Sequence, residues 1–465
     1  MTGFSDELAA FRARTPDPGY RALILLGTRQ ATTAALLLGT LCVERVAFLL
    51  TDATRDMPAQ AAALLGGSTD GWLSLPGDHS ATLSVYQGLR QLIERWADLD
   101  RSTIAVDVTG GLKPMSVGVE KAAHLLGLPT IYIESDYGPG PDGRFGPIAG
   151  TQRLIIPPNP YAVFGDLEAV QAQEQYRQHD YAVAARIFRT LAVRVAAPDP
   201  ASAPVLAVLG ARYTALAELA ELYAAWDVLD FTQALEHASR LLALPLDSLP
   251  ELAPYVARLA EQHAMLGRLV DVSASVVRRD DQARQTLADA DAMLPLLGTL
   301  HAAALRRAAQ GRYDFAALFR YRCLELISQH RLASYGILCN RPDYRTVGIA
   351  PAELRERFAA VQQSVGRKDL KKLPERNIAL FDGYMVLMAL DDPLVRGYMI
   401  QQIEQRSSAR NLSVLAHGYQ LIGQAEYNQF AAVVDAILDR LFTQVLARPR
   451  AAWEQAVQFV NPFGA

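Results

Sequence analysis

The chain has 465 residues, of which 51% are hydrophobic and 20% charged, and its formal net charge is −4 at pH 7. This composition is typical of a soluble globular protein with enough apolar material for several cores. It neither supports nor excludes an RNA substrate, because a local basic cleft can attract RNA whatever the net charge. The three cysteines, Cys42, Cys323 and Cys339, are widely spaced, which argues against a disulfide framework or a cysteine-based zinc site.

No segment is predicted to export the chain or to hold it in a membrane. Residues 1–20 are polar and mixed in charge, without the apolar segment of a signal peptide. The longest nearly apolar run covers residues 31–43, which is too short to span a bilayer. We therefore expect a cytoplasmic protein that does not contact a membrane.

The first 160 residues alternate between short apolar runs and helical patterns. Strands are predicted at 22–26, 46–50, 103–108 and 129–133, and helices at 31–41, 83–97 and 113–126. Short, fully apolar strands that alternate with helices are typical of βαβ units and of a buried parallel sheet. We therefore predict an α/β N-terminal domain with a Rossmann-like parallel sheet.

Beyond this region the strand signal mostly disappears. A loop rich in glycine and proline covers residues 137–159 and is the clearest domain boundary. From residue 166 onward the sequence has helical periodicity, and proline and glycine at Leu294–Gly298 suggest a second boundary. The predicted domains are therefore the α/β domain at 1–160, an all-α linker domain at 161–298 and an all-α domain at 299–465.

Two predicted strands end in residues that suit an anionic ligand. Gly27-Thr28-Arg29-Gln30 follows the first strand, and Thr109-Gly110-Gly111 precedes the helix that contains Lys113. Parallel sheets bind ligands beyond the carboxyl ends of their strands, where glycines allow close approach and helix N-termini attract phosphate. The alternative is a tight turn that needs glycine, followed by a solvated lysine. No G-x-G-x-x-G follows the first strand, so this is not a dinucleotide fingerprint.

The C-terminal region contains the segment R-N-L-S-V-L-A-H-G at 410–418. Arg410 and His417 are seven residues apart, so on a helix they would project from one face. Ser407 or Ser408 could cap such a helix and Gly418 could end it, with Arg410 in the first turn. The alternative interpretation is a surface arginine and a helix-terminal histidine.

These residue types suit RNA cleavage without a metal. Histidine can move a proton near neutral pH, arginine offers a planar fork of donors to phosphate oxygens, and Asn411 could orient either group. A single copy of the motif supplies few catalytic groups. Two copies that face each other across a dimer would form a more complete active site. The other histidines lack metal-ligand spacing.

Two further basic segments are interpreted as solvated surface. Arg376-Asn377 imitates the Arg-Asn pair, but no histidine follows within eight residues. Lys368–Lys372 is a short basic cluster that could border an RNA cleft, although a solvated face is the favoured interpretation.

Three segments resemble parts of one known family. R-N-L-S-V-L-A-H-G resembles the Arg–(four to six residues)–His motif of HEPN ribonucleases, with a gap at the long end of that range. Residues 313–330 resemble the first helix of that domain in a CRISPR-associated subfamily. The stretch at 107–115, D-V-T-G-G-L-K-P-M, is similar to the signature of CARF domains, which sense cyclic oligoadenylates. In this order, they resemble the CARF–HEPN ribonucleases of type III CRISPR systems.

The resemblance and the sheet-edge pattern together predict the site residues. The ligand-binding set is Thr28, Arg29, Gln30, Thr109, Gly110, Gly111, Lys113 and Met115, and the catalytic set is Arg410, Asn411 and His417. The resemblance implies a homodimer that is activated by cyclic tetra- or hexa-adenylate, without metal or other cofactor. It would cleave single-stranded RNA by 2′-OH attack and leave a 2′,3′-cyclic phosphate. The alternatives are a nucleotide-sensing adaptor without nuclease activity and a sensor domain that also degrades its own ligand.

Overall fold

The structure is a computed structural model that describes residues 3–77, 82–111, 113–139, 145–196, 203–276, 281–411, 413–415 and 418–464. The side chains of residues 203, 275, 276 and 408–411 lie outside this description. The chain divides into two compact units, Met1–Leu167 and Glu168–Ala465.

The first unit contains a six-stranded sheet with the order β3-β2-β1-β4-β5-β8. The strands are β1 (Ala22–Leu26), β2 (Arg45–Leu50), β3 (Leu73–Pro76), β4 (Ile104–Asp107), β5 (Thr130–Glu134), β6 (Tyr137–Pro139), β7 (Phe145–Pro147) and β8 (Arg153–Ile155). The first five strands pair in parallel, and β8 runs antiparallel to β5. The separate β6–β7 pair is an antiparallel hairpin.

Helices cover both faces of this sheet. They are α1 (Phe4–Arg14), α2 (Ala31–Thr40), α3 (Met57–Leu65), α4 (Thr82–Arg95) and α5 (Lys113–Leu126). Every residue of β1 is buried, as expected for a central parallel strand. Leu23 and Leu25 pack into a core with α1, α2 and α3, whereas Ile24 and Leu26 pack on the opposite face with α4 and α5.

The second unit is helical throughout its described length. After α6 (Pro160–Phe164) in the first unit, the helices are α7 (Asp166–Arg177), α8 (Tyr181–Val195), α9 (Ala203–Asp227), α10 (Phe231–Leu242), α11 (Val256–Val276), α12 (Asp281–Ala288), α13 (Ala290–Ala309), α14 (Tyr313–Ser334), α15 (Pro351–Ser364), α16 (Leu380–Ala389), α17 (Gln401–Asn411), α18 (Gln424–Arg440) and α19 (Arg450–Val457). Helix α9 packs between α8 and α10, while α14 packs against α13 and α18. One apolar core connects α11–α19.

Buried ion pairs connect these helices. Arg306 and Arg307 of α13 donate to Asp227 at the end of α9, over 2.7 and 2.5 Å. Arg320 of α14 donates to Asp435 of α18 over 2.9 Å and contacts His301 Nδ1 at 2.8 Å. Burial, followed by the charge of Arg320, lowers the pKa of His301, so its neutral imidazole accepts a hydrogen bond from the Arg320 guanidinium.

The predicted fold class is confirmed, with an α/β region followed by helices. All four predicted strands form within one residue of their predicted bounds. The sequence did not reveal β3 and β8, which are short edge strands without a continuous apolar run. The segment at 137–159, predicted as a loop, contains the short strands β6, β7 and β8. The proline and glycine at Leu294–Gly298 do not end a helix, because Pro295 lies inside α13 and the helix continues through residue 298. The division into domains at 161–298 and 299–465 stays a prediction.

Among the described residues, no helix combines the length and the hydropathy needed to cross a membrane.

Candidate functional site

The two predicted ligand-binding loops lie side by side at one edge of the sheet. They follow β1 and β4, which are parallel neighbours at the point where the strand order reverses. A Cβ atom added to Gly110 would lie 2.3 Å from Thr28 Cγ2, and Gly111 has a φ of +91° that favours glycine. Crevices at such reversal points are the usual ligand sites of open α/β sheets.

The first of these loops is held in place by two hydrogen bonds of Thr28. The Thr28 N–H points at Met57 Sδ over 3.1 Å, and its hydroxyl accepts the Gln30 N–H over 2.9 Å. Arg29 and Gln30 are exposed just before α2 begins. They border a groove of about 590 Å³ that Gln60 lines from α3. The loop therefore presents polar side chains to solvent from a rigid turn.

Thr109 is held by internal hydrogen bonds. Its N–H and its hydroxyl donate to the Asp107 carboxylate over 3.0 and 2.5 Å, and the hydroxyl accepts the Ile133 N–H over 2.8 Å. The threonine proton is therefore committed to Asp107, so Thr109 positions the loop and ties it to β5. Complete burial raises the pKa of Asp107 to about 6, against the lowering effect of the two Thr109 hydrogen bonds.

The first residues of α5 support the second loop from below and place a positive charge beside it. Met115 is 3% exposed and packs beneath Gly111, where it forms the floor of the loop. Ser116 donates its hydroxyl proton to the Gly110 carbonyl over 2.8 Å. Lys113 is exposed at the first residue of α5, where the helix dipole adds to its positive charge. No carboxylate of a described residue pairs with Lys113 or Arg29.

The side chains of the three predicted catalytic residues lie outside the part of the chain that the structure describes. Arg410 and Asn411 occupy the last turn of α17, with side chains outside the description, and His417 lies outside the described residues. The prediction of one helix through 410–417 is wrong. The helix begins at Gln401, so Ser407 lies within it and donates to the Glu404 carbonyl over 3.2 Å instead of capping it.

A compact loop follows this helix. The Gly418 N–H donates to the Ser413 carbonyl over 3.2 Å, and the Val414 N–H donates to the Gln420 carbonyl over 3.0 Å. Asp314 at the start of α14 accepts the Ile422 N–H over 3.1 Å, which anchors the end of the loop. The described residues 413–415 and 418–422 are therefore held after α17 by backbone hydrogen bonds and by Asp314.

The sequence analysis missed the supporting residues of both regions. Asp107 belongs to the segment that resembled the sensor signature, but nothing in the sequence showed that its carboxylate would be buried under Thr109. Asp314 was likewise a helix residue without an assigned role. Among the described residues, no group of three His, Cys, Asp or Glu side chains could hold a metal ion.

Two family models match the second unit. The model described as the Csm6 HEPN domain matches residues 285–441, and the model described as the Csm6 6H domain matches residues 164–251. Together they cover more than half of the chain, and the first includes Arg410, Asn411 and His417.

One curated relative and two solved structures are similar to the chain. The "CRISPR system endoribonuclease Csm6" of Thermus thermophilus is 26% identical over 376 residues, which are 79% of this chain and 74% of the relative. Csm6 from Enterococcus italicus, bound to cyclic hexa-2′-fluoro-hexa-dAMP, is 11% identical with a TM-score of 0.46, over 95% of this chain and 98% of that chain. Can2 from Sulfobacillus thermosulfidooxidans, in complex with cyclic tetra-adenylate, is 12% identical with a TM-score of 0.21, over 47% and 69%.

Gly110→Ala should lower the free energy of unfolding by about 1–3 kcal/mol, the usual cost of overpacking. The new methyl group would lie 2.3 Å from Thr28 Cγ2 and force the two loops apart. Urea denaturation measures the change. Gly67→Ala is the matched control in the same unit, because no described atom lies within 4 Å of its added Cβ. Equal losses in the two variants would contradict the close packing of these loops.

Asp107→Asn should alter the pH dependence of stability. The folded pKa of about 6 lies above the ordinary value of 3.8, so the folded protein loses stability from this group as pH rises between these values. Asparagine does not titrate, so the variant should gain on the wild type from about pH 4 to about pH 7 in urea denaturation. Asp100→Asn should do the reverse, because hydrogen bonds from Ser102 lower the pKa of that exposed carboxyl. A flat difference for Asp107→Asn would refute the buried titration.

Proposed function

The chain belongs to the Csm6 family of CRISPR-associated HEPN proteins, and we propose that it is an endoribonuclease whose cleavage of single-stranded RNA is switched on by a cyclic oligoadenylate. The observation that carries the proposal is the position of the Arg-Asn–His motif at 410–417 inside the Csm6 HEPN match. The name of the Thermus thermophilus relative, an endoribonuclease, supports the same activity.

The proposed chemistry uses only protein side chains. His417 moves a proton between the 2′-OH nucleophile and the leaving 5′-oxygen, and Arg410 binds the phosphate oxygens as negative charge accumulates. Asn411 orients one of these groups. The 2′-oxygen forms a bond to phosphorus as the bond to the 5′-oxygen breaks, which leaves a 2′,3′-cyclic phosphate and a free 5′-OH. None of these steps requires a metal ion.

The surroundings of the motif favour a second copy of the chain as its partner. Tyr419 is 96% exposed, Leu421 is 79% exposed and Val414 is also exposed, so the loop presents apolar side chains to solvent. Exposed apolar patches of this kind mark interaction surfaces. A two-fold axis at this loop would bring two Arg410–His417 pairs to one RNA strand, as an isologous dimer requires.

The activator is proposed to bind at the edge formed by the loops after β1 and β4. Backbone N–H groups at Gly110 and Gly111, the N-terminus of α5 and Lys113 suit the phosphates of a cyclic tetra- or hexa-adenylate. Arg29 and Gln30 offer further donors from the neighbouring loop. For binding to act as a switch, the ligand must bind the active arrangement of the dimer more tightly than the inactive one.

His417→Ala and Arg410→Ala should each reduce RNA cleavage by at least about 100-fold, as expected when a proton-transfer group or a phosphate-binding group is lost. Cleavage of a fluorescent single-stranded RNA, with and without cyclic tetra- or hexa-adenylate and in the presence of EDTA, measures the effect. Arg376→Ala is the matched control, because Arg376 is exposed and precedes an asparagine without a following histidine.

Three outcomes would overturn parts of this proposal. Wild-type cleavage by His417→Ala would move the active site elsewhere. No cleavage by the wild type with either ligand would favour the adaptor, and inhibition by EDTA would exclude a metal-independent reaction. Ligand consumption by His417→Ala would add ligand degradation at the sensor unit.

Lys113→Ala should raise the activator concentration for half-maximal cleavage by about 10-fold, which corresponds to one charge-assisted hydrogen bond. The maximal rate should stay near that of the wild type, since Lys113 lies outside the catalytic motif. Lys121→Ala, an exposed lysine further along α5, is the control. If both variants raised the activator concentration equally, the effect would come from the net charge of the protein and not from a contact between Lys113 and the ligand.

A further inference from the structure

The second unit contains a cavity that the proposed function does not use. It has a volume of about 540 Å³, within the range of about 300–1,000 Å³ typical of small-molecule sites. The end of α7, helices α11 and α13, and residues 458–461 surround it. Three arginines line it, Arg177, Arg258 and Arg306, and no carboxylate does so among the described residues.

Arg306 is the deepest of these arginines. It is 7% exposed, its Nε donates to Asp227 over 2.7 Å, and its guanidinium carbon lies 4.0 Å from the centre of the Phe459 ring. Its Nη2 is buried and has no hydrogen-bond partner among the described residues. An unsatisfied buried donor costs about 1–3 kcal/mol, and more when it is charged, so this nitrogen requires an acceptor.

The other two arginines repeat this pattern. The Nε atoms of Arg177 and Arg258 are also buried without a partner in the described part of the chain. Their outer nitrogens are engaged, because Arg177 donates to the Phe463 carbonyl over 2.7 Å and Arg258 donates to the Gln458 carbonyl over 2.8 Å. Arg177 also lies 3.6 Å from Glu174, toward the surface. The engaged contacts hold the guanidinium groups in place, and one N–H of each has no hydrogen-bond partner among the described residues.

His179 completes the wall beside them. Its φ of +62° is the left-handed conformation that ends α7, where the Asp180 N–H donates to the Gln175 carbonyl over 2.8 Å. Its Nδ1 is 3.0 Å from the Tyr181 hydroxyl. Burial, assisted by the charge of Arg306, lowers the pKa of His179, so the ring is neutral at pH 7 and can share a hydrogen bond without adding charge.

We propose that this cavity binds the terminal phosphate of a small phosphorylated molecule. Arginine forks match phosphate oxygens, and three arginines but, among the described residues, no carboxylate line the cavity. A terminal phosphate can reach the buried Arg306, whereas an internal phosphate of an RNA strand is flanked by chain on both sides. The inference does not depend on the ribonuclease activity.

Isothermal titration calorimetry on the full-length protein tests this site, with inorganic phosphate, 5′-AMP and uncharged adenosine as probes. The wild type should bind phosphate and 5′-AMP but not adenosine. Arg177→Gln and Arg258→Gln should each weaken binding by about 10-fold or more, the loss expected for one charge-assisted contact. Arg306 is not substituted, because its removal would take an ion-pair partner from the buried Asp227 and could unfold the protein. Arg268→Gln, an exposed arginine on the same helix as Arg258, should bind like the wild type.

Melting temperatures of the variants show whether they are folded. The proposal is overturned if the wild type binds neither charged probe, or if both arginine variants bind like the wild type. It is also overturned if Lys113→Ala, instead of the arginine variants, removes binding, since the probes would then occupy the sheet edge of the first unit. Displacement of 5′-AMP by a single-stranded RNA without terminal phosphates would identify an RNA-backbone site and reject the small-molecule ligand.

Discussion

The contact between Gly110 and Thr28 is the constraint on which the N-terminal site depends. Neighbouring parallel strands lie about 4.8 Å apart, so the loops after β1 and β4 emerge close together. They can leave the sheet in the same direction only if one of them lacks a side chain at the crossing point. Gly110 meets this need, and the positive φ of Gly111 then directs the chain into α5. The glycines thus fix where Lys113 stands relative to Arg29.

The two regions of the proposed enzyme are built in different ways. At the sheet edge, the Thr109 hydroxyl donates a hydrogen bond to Asp107 and accepts one from the Ile133 N–H of β5. The loop is therefore rigid without a ligand. Around the Arg410–His417 motif, the described residues expose apolar side chains and are held by backbone hydrogen bonds. The proposed ligand site therefore rests on a loop that side-chain hydrogen bonds fix, and the proposed dimer rests on an exposed apolar surface.

The sequence predicted the central strands because each is a short apolar run buried on both faces. It also predicted which loops share an edge, since parallel strands place their carboxyl ends together. Edge strands such as β3 were not predicted because half of their residues face solvent, so they lack a continuous apolar run. The prediction of a helix through 410–417 was wrong because a spacing of seven fits a helix but does not locate its ends, which lie at Gln401 and Asn411. The cavity of three arginines joins residues far apart in sequence, so no local pattern could reveal it.

The pairing of Asp227 with Arg306 and Arg307 limits how these helices can be exchanged between relatives. Asp227 ends a helix that begins within the 6H match, whereas its two partners lie within the HEPN match. A chimaera that joins these middle helices to the HEPN helices of another protein would leave Asp227 buried without a counterpart wherever that protein lacks the two arginines. The border between the two family models therefore separates residues that depend on one another for charge compensation.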